Sequence, residues 1–162
     1  MPVRFNANEI FEMAIRAERN GAAFYREAAR LHPEADERAL LDELAAMEDQ
    51  HLAVFRGMQA ELAGRLDPAG DYVEATLYLD ALSDAHGGEG APRVTAALTG
   101  RESMAQILQT AIELERRSIL YYLGLRDMVP ADLGRDRVET IIAEEQGHVA
   151  VLARELRRHL GR

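Results

Sequence analysis

Glu48-Asp49-Gln50-His51 has a counterpart in Glu145-Gln146-Gly147-His148, and each is an E-x-x-H inside a helical pattern of apolar residues. Residues three apart on a helix share a face in adjacent turns. Each carboxylate and its imidazole therefore point the same way, a spacing that suits a metal ion. Working outward, Glu18 stands 30 residues before Glu48, and Glu115 stands 30 before Glu145. One shift of 97 positions lays Glu18, Glu48 and His51 on Glu115, Glu145 and His148. The neighbours follow: Ala14 falls on Ala111, Ile15 on Ile112, Arg19 on Arg116, Tyr25 on Tyr122, Leu44 on Ile141 and Ala53 on Ala150. The chain reads as a doubled helix hairpin, each copy carrying one lone glutamate and one E-x-x-H.

The apolar residues around these positions recur at helical spacing and predict an all-α protein. The first helix starts near Asn6 or Asn8, both good caps, and runs to about Leu31, before Pro33. Its stripe is Phe11, Ala14, Ile15, Ala22, Tyr25 and Ala29, with Glu18 in the middle. The second runs to about Leu62 and carries Leu41, Leu44, Leu52 and Phe55 around Glu48 and His51. Thr99-Gly100-Arg101-Glu102 has the form of a capping box and places the start of the third helix there, ending before Pro130. Its stripe, Leu108, Ala111, Ile112, Ile119 and Tyr122, surrounds Glu115. The fourth starts between Asp132 and Asp136, reaches about Leu160, and sets Glu145 and His148 among Val138, Ile141, Ile142, Val149 and Leu152. The expected organisation is one domain over 1–162: a first hairpin over 6–63, a crossover over 64–99 and a second hairpin over 100–161. Gly64, Pro68 and Gly70 break the pattern, a short extra helix fits 72–85, and residues 86–92 form a loop. A connector of about 37 residues can cross the full length of a bundle, roughly 40 Å for helices of this size.

Bulk properties narrow the function. The 162 residues are 48% hydrophobic and 6% aromatic, with no tryptophan, which fits a helical domain with a real core. The absence of cysteine removes disulfides, thiolate metal sites and iron–sulfur clusters, and favours the cytoplasm. The start, Met1 to Phe5, lacks a signal-peptide pattern, and no run is apolar enough to span a membrane. A net charge of −9 argues against nucleic acid and anionic membranes as partners.

All four helices thus carry an acid on the face that should be buried. An unpaired carboxylate stripped of water costs several kcal/mol, and neighbouring like charges raise one another's pKa. Arg19 and Arg116 lie about 100° round their helices from the glutamates and point away. Two divalent cations resolve the charge: four carboxylates, two neutral imidazoles and two M²⁺ sum to zero. Glu48 and Glu145 are then expected to bridge, with Glu18 and Glu115 terminal and one ion each for His51 and His148. This mixed donor set suits iron or manganese, and zinc less specifically. A lone glutamate in an apolar stripe is usually a boundary residue, and a lone core histidine is usually just hydrogen-bonded. Six such residues in register are not. Tyr25 and Tyr122 follow the lone glutamates by seven residues and face the core, where packing is the default role and hydrogen bonding behind the ligands or radical quenching the sharper one. His32, His86 and His159 have no partner at metal spacing and are expected at the surface or in loops. Charged runs such as 154–158 look like solvated helix.

In Glu18, Glu48/His51, Glu115 and Glu145/His148, the chain resembles the ferritin-like di-iron carboxylate superfamily, most closely its rubrerythrin and bacterioferritin branch. The resemblance covers the four main helices. It implies a left-handed four-helix bundle with a long crossover, and a centre of two iron ions that reacts with peroxide or dioxygen. It also implies a homodimer or larger homo-oligomer, with an external electron donor if the activity is that of a peroxidase. Rubrerythrins proper also have a cysteine-ligated iron, and a further carboxylate three residues after the third-helix glutamate, where this chain has Ser118. The six-ligand set looks more like the symmetrical ferroxidase centre of bacterioferritin. The leading expectation is a rubrerythrin-like di-iron oxidoreductase. The alternatives are a ferroxidase that stores or delivers iron, and a metal-stabilised helical interaction domain without turnover.

Overall fold

The apolar periodicity becomes four long helices in the computed structural model, which describes residues 7–32, 34–62, 95–126 and 131–161. They are α1 (Ala7–Leu31), α2 (Ala35–Leu62), α3 (Met104–Arg126) and α4 (Arg135–Leu160), with a 3-10 turn at Ala131–Leu133 before the last. No strand occurs among the described residues, and no described helix is long and apolar enough to cross a membrane. The extra helix expected over 72–85 and the loop over 86–92 fall outside the described residues.

Contacts near the helix ends fix the direction of each helix. Phe11 near the start of α1 packs on Phe55 toward the end of α2, with ring centroids 6.4 Å apart, so this hairpin is antiparallel. Gly100, just before α3, lies against Leu31 at the end of α1, and the Tyr121 hydroxyl donates to the Met13 sulfur. α1 and α3 are therefore antiparallel. Arg137 near the start of α4 pairs with Glu61 at the end of α2 at 2.8 Å, so these two are antiparallel as well. It follows that α2 and α3 run parallel, and the segment between them joins opposite ends of the bundle.

Two helix starts differ from expectation. α3 does not begin at Thr99. Gly100 adopts φ +76°, left-handed backbone that ends any helix there, and Glu102 accepts hydrogen bonds from Thr99 and from the Gly100 backbone N–H. These contacts hold the exposed Glu102 carboxyl down at about 2. The helix begins four residues later on a true capping box. The Ser103 backbone N–H donates to Gln106 Oε1 at 2.8 Å, and the Gln106 N–H donates to Ser103 Oγ at 3.3 Å. Asn8 is not a cap either: α1 already includes Ala7, and the Asn8 amide donates to Glu12 one turn on. Asn6 and Pro33 fall outside the described residues. α4 starts within the expected window, after Gly134 in the left-handed region at φ 100°. Asp136 in its first turn and Arg157, Arg158 and His159 in its last complement the helix dipole.

The buried apolar residues form two clusters. One contains Phe11, Met13 and Ile15 of α1, Phe55 and Met58 of α2, Tyr122 of α3, and Val138, Ile141 and Ile142 of α4. The other contains Phe24 and Ala28 of α1, Leu41 and Leu44 of α2, Met104, Ile107 and Leu108 of α3, and Leu152 of α4. In every helix the glutamate falls between the two segments that build these clusters. The apolar core is therefore interrupted at mid-height by a layer of acids and imidazoles.

Candidate metal centre

That layer holds the six residues singled out by the repeat. Glu18, Glu48, Glu115, Glu145 and His148 are buried, and the His51 side chain is 13% exposed. Each sits on a different turn of an amphipathic helix, at the position where the stripe faces the bundle axis. The imidazoles of His51 and His148 stack face to face, with centroids 4.1 Å apart and planes 3° from parallel. His51 Nδ1 lies 3.7 Å from Glu18 Oε2, and His148 Nδ1 lies 3.3 Å from Glu115 Oε1. Each imidazole thus faces the lone glutamate of its own hairpin. His148 Nδ1 is also 3.5 Å from Glu48 Oε1 and 4.0 Å from Glu145 Oε2.

The carboxylates crowd one another. Burial first, then the neighbouring acids, push Glu18 and Glu115 well above the usual carboxylate range. Glu48 and Glu145 are the acids that crowd each of them. Glu48 is raised by burial, while the bonds it accepts from Glu18 and Glu115 act in the opposite direction. Burial and mutual repulsion thus both favour the protonated forms of Glu18 and Glu115. Burial, followed by the neighbouring His148 ring, lowers His51 from its ordinary value.

The donor set fits metal. Two groups, Glu48/Glu115/His148 and His51/Glu145/His148, each have ligand atoms within 4.8 Å of one another. Glu18 Oε2, Glu145 Oε1, His51 Nδ1 and both nitrogens of His148 are buried without a hydrogen-bond partner. Unpaired buried polar atoms are rare, and a cluster aimed at one point calls for a cation. Carboxylate oxygens with imidazole nitrogens suit iron, manganese or zinc.

Beside the acids, between α1 and α3, lies a cavity of about 20 Å³, room for a molecule the size of water. Gly21, Tyr25, Leu114 and Ser118 line it together with the four glutamates. Tyr25 is buried there, and burial followed by the nearby carboxylates raises its phenol well above its usual value. Tyr122, its counterpart in the repeat, is buried in the apolar cluster with Phe11. Arg19 and Arg116 are exposed, as expected, and Arg116 pairs with Glu113 at 2.9 Å. His32 lies in the connection between α1 and α2, as expected of a loop residue, but not at the surface. It is buried just beyond α1, with Nδ1 2.6 Å from Glu37 Oε2, because α2 folds back over it. His159 is partly buried in the last turn of α4, and His86 falls outside the described residues.

Two residues at the site were not foreseen. A Cβ at Gly21 would come within 3.1 Å of the Glu48 carboxyl, so the close approach of Glu48 to α1 depends on glycine. The repeat held a clue, since Gly21 falls on Ser118, small and buried, three residues after the other lone glutamate. The second is Glu144, whose carboxylate lies 3.2 Å from His51 Nε2.

A solved structure from Thermotoga maritima, described as a ferritin-like diiron-carboxylate protein, superposes with a TM-score of 0.60. The match covers 97% of this chain and 98% of that one, at 22% identity. The fold is ferritin-like. No protein-family model matches the sequence, and no curated protein matches it.

Proposed function

We propose that this ferritin-like chain is a rubrerythrin-type di-iron oxidoreductase that reacts with peroxide or dioxygen. In this reading Glu18, Glu48 and His51 of one hairpin and Glu115, Glu145 and His148 of the other would hold the two ions. The observation that carries it is the convergence of four buried glutamates and two imidazoles, with unpaired donor atoms, in an otherwise apolar core. Bound ferrous iron supplies two electrons per pair, enough to reduce peroxide and two protons to water.

The chain's own groups provide the rest. Glu18 and Glu115 would give up their protons as two divalent cations enter, leaving four carboxylates to balance the four positive charges. The small cavity at Gly21 and Ser118 admits a small oxidant and excludes larger organic molecules. Tyr25 closes that cavity and keeps its phenol protonated. With no cysteine, the chain carries no thiolate-held iron, and turnover takes electrons from a separate donor.

Stopped-flow mixing of the anaerobic ferrous protein with peroxide tests this reading. Ferric absorbance should rise well above the protein-free rate, and Glu18→Gln should slow it about 10–100-fold. A rise no faster than in buffer refutes the redox activity.

Ser118 favours a second reading, as a ferroxidase that stores or delivers iron. It is buried at the site, at the position where rubrerythrins proper carry a further carboxylate. Native mass separates the two: mineral storage needs a large closed shell, which a dimer cannot form.

A further inference from the structure

The 97-residue correspondence that pairs the six residues breaks down one position outside them. Glu144 of α4 reaches across to α2 and sets its carboxylate 3.2 Å from His51 Nε2, while His51 Nδ1 faces Glu18. The position 97 residues earlier is Met47, partly buried and packed against the second apolar cluster. A thioether is a poor substitute for a carboxylate acceptor. In keeping with that, His148 Nε2 is buried with no hydrogen-bond partner.

A neutral imidazole carries one N–H. An acceptor at Nε2 draws the proton there and leaves the Nδ1 lone pair facing the cluster, the form needed to bind metal. His51 has such an acceptor. His148 has its imidazole presented by stacking and packing, without one.

We infer that Glu144 is a positioning residue that holds His51 in its metal-binding tautomer and makes the two metal positions unequal, the one at His51 filling first. The inference rests on the two-metal reading of the cluster. As an exposed ion pair the contact would matter little, because Glu144 is 47% exposed. Its effect is on which nitrogen carries the proton.

The test is calorimetric titration of the metal-free protein with Co²⁺, together with nitrogen NMR of the histidine side chains. The expected wild-type titration has two steps, separated by about 10–100-fold in affinity. His51 should carry its proton on Nε2. Glu144→Ala should weaken the tighter step by a similar factor and mix the tautomers of His51, without changing the helical content. Glu144→Gln keeps an acceptor oxygen and should restore much of the separation. Met47→Glu supplies the missing acceptor beside His148 and should draw the two steps together. Two steps of equal affinity in the wild type, or steps and tautomers indifferent to Glu144→Ala, overturn the inference and leave the two-metal reading standing. Absence of any Co²⁺ binding overturns both.

Discussion

Burial holds protons on Glu18 and Glu115 far above the ordinary glutamate value of 4.5, and the sign of that shift dictates how the metal-free protein responds to pH. The folded chain keeps protons that the unfolded chain has lost, so these groups make stability fall as pH rises from 4.5 through the raised values. His51 acts the other way, but only below its ordinary 6.5, where the unfolded chain is the better proton binder. Above that only the carboxylates remain. The melting temperature of metal-free protein should therefore fall as pH rises through the raised carboxylate range, and the gain from added divalent metal should grow as it falls. A flat or rising curve for the metal-free form contradicts the assignment. Gly21 gives a second prediction at this scale. Gly21→Ala gains about 1 kcal/mol of helix propensity and loses about 1–3 kcal/mol by crowding Glu48. Stability should fall by no more than about 2 kcal/mol while metal affinity falls, measured by thermal melts beside calorimetry; unchanged affinity would show that the close approach does not matter. The six acids and imidazoles were legible in the sequence because ligand spacing and an in-register repeat are both linear patterns. Gly21 and Glu144 act through contacts between helices, which no linear spacing encodes.

At the level of elements, the stripes predicted the helices and their buried faces well, and the starts less well. Thr99 to Glu102 satisfies the capping pattern, yet it closes a turn around left-handed Gly100, and the neighbouring Ser103–Gln106 pair caps α3. Two adjacent boxes four residues apart cannot be ranked without knowing which turn packs against Leu31. Ser103→Ala should cost about 1 kcal/mol in denaturant unfolding, and Thr99→Ala, outside the helix, less. The reverse order would place the cap where the sequence pattern first put it. The burial of His32 was missed for a related reason. Its burial comes from α2 folding back, a tertiary event invisible in its local surroundings.

For the whole molecule, the 97-residue shift carried more than the site. It implied two like hairpins joined by a connector long enough to cross the bundle, and the Gly100–Leu31 and Arg137–Glu61 contacts add that α2 and α3 run parallel. Two apolar clusters above and below the acidic layer give that layer its dryness. The dryness is why the glutamates need cations and why their oxygens lack other partners. The most direct measurement is the metal-to-chain ratio after anaerobic equilibration with ferrous iron. Two ions per chain are predicted, dropping below one in a Glu48→Ala/Glu145→Ala double variant that keeps its helical content. No bound metal in the wild type, or an unchanged ratio in the double variant, would contradict a centre built from these six residues.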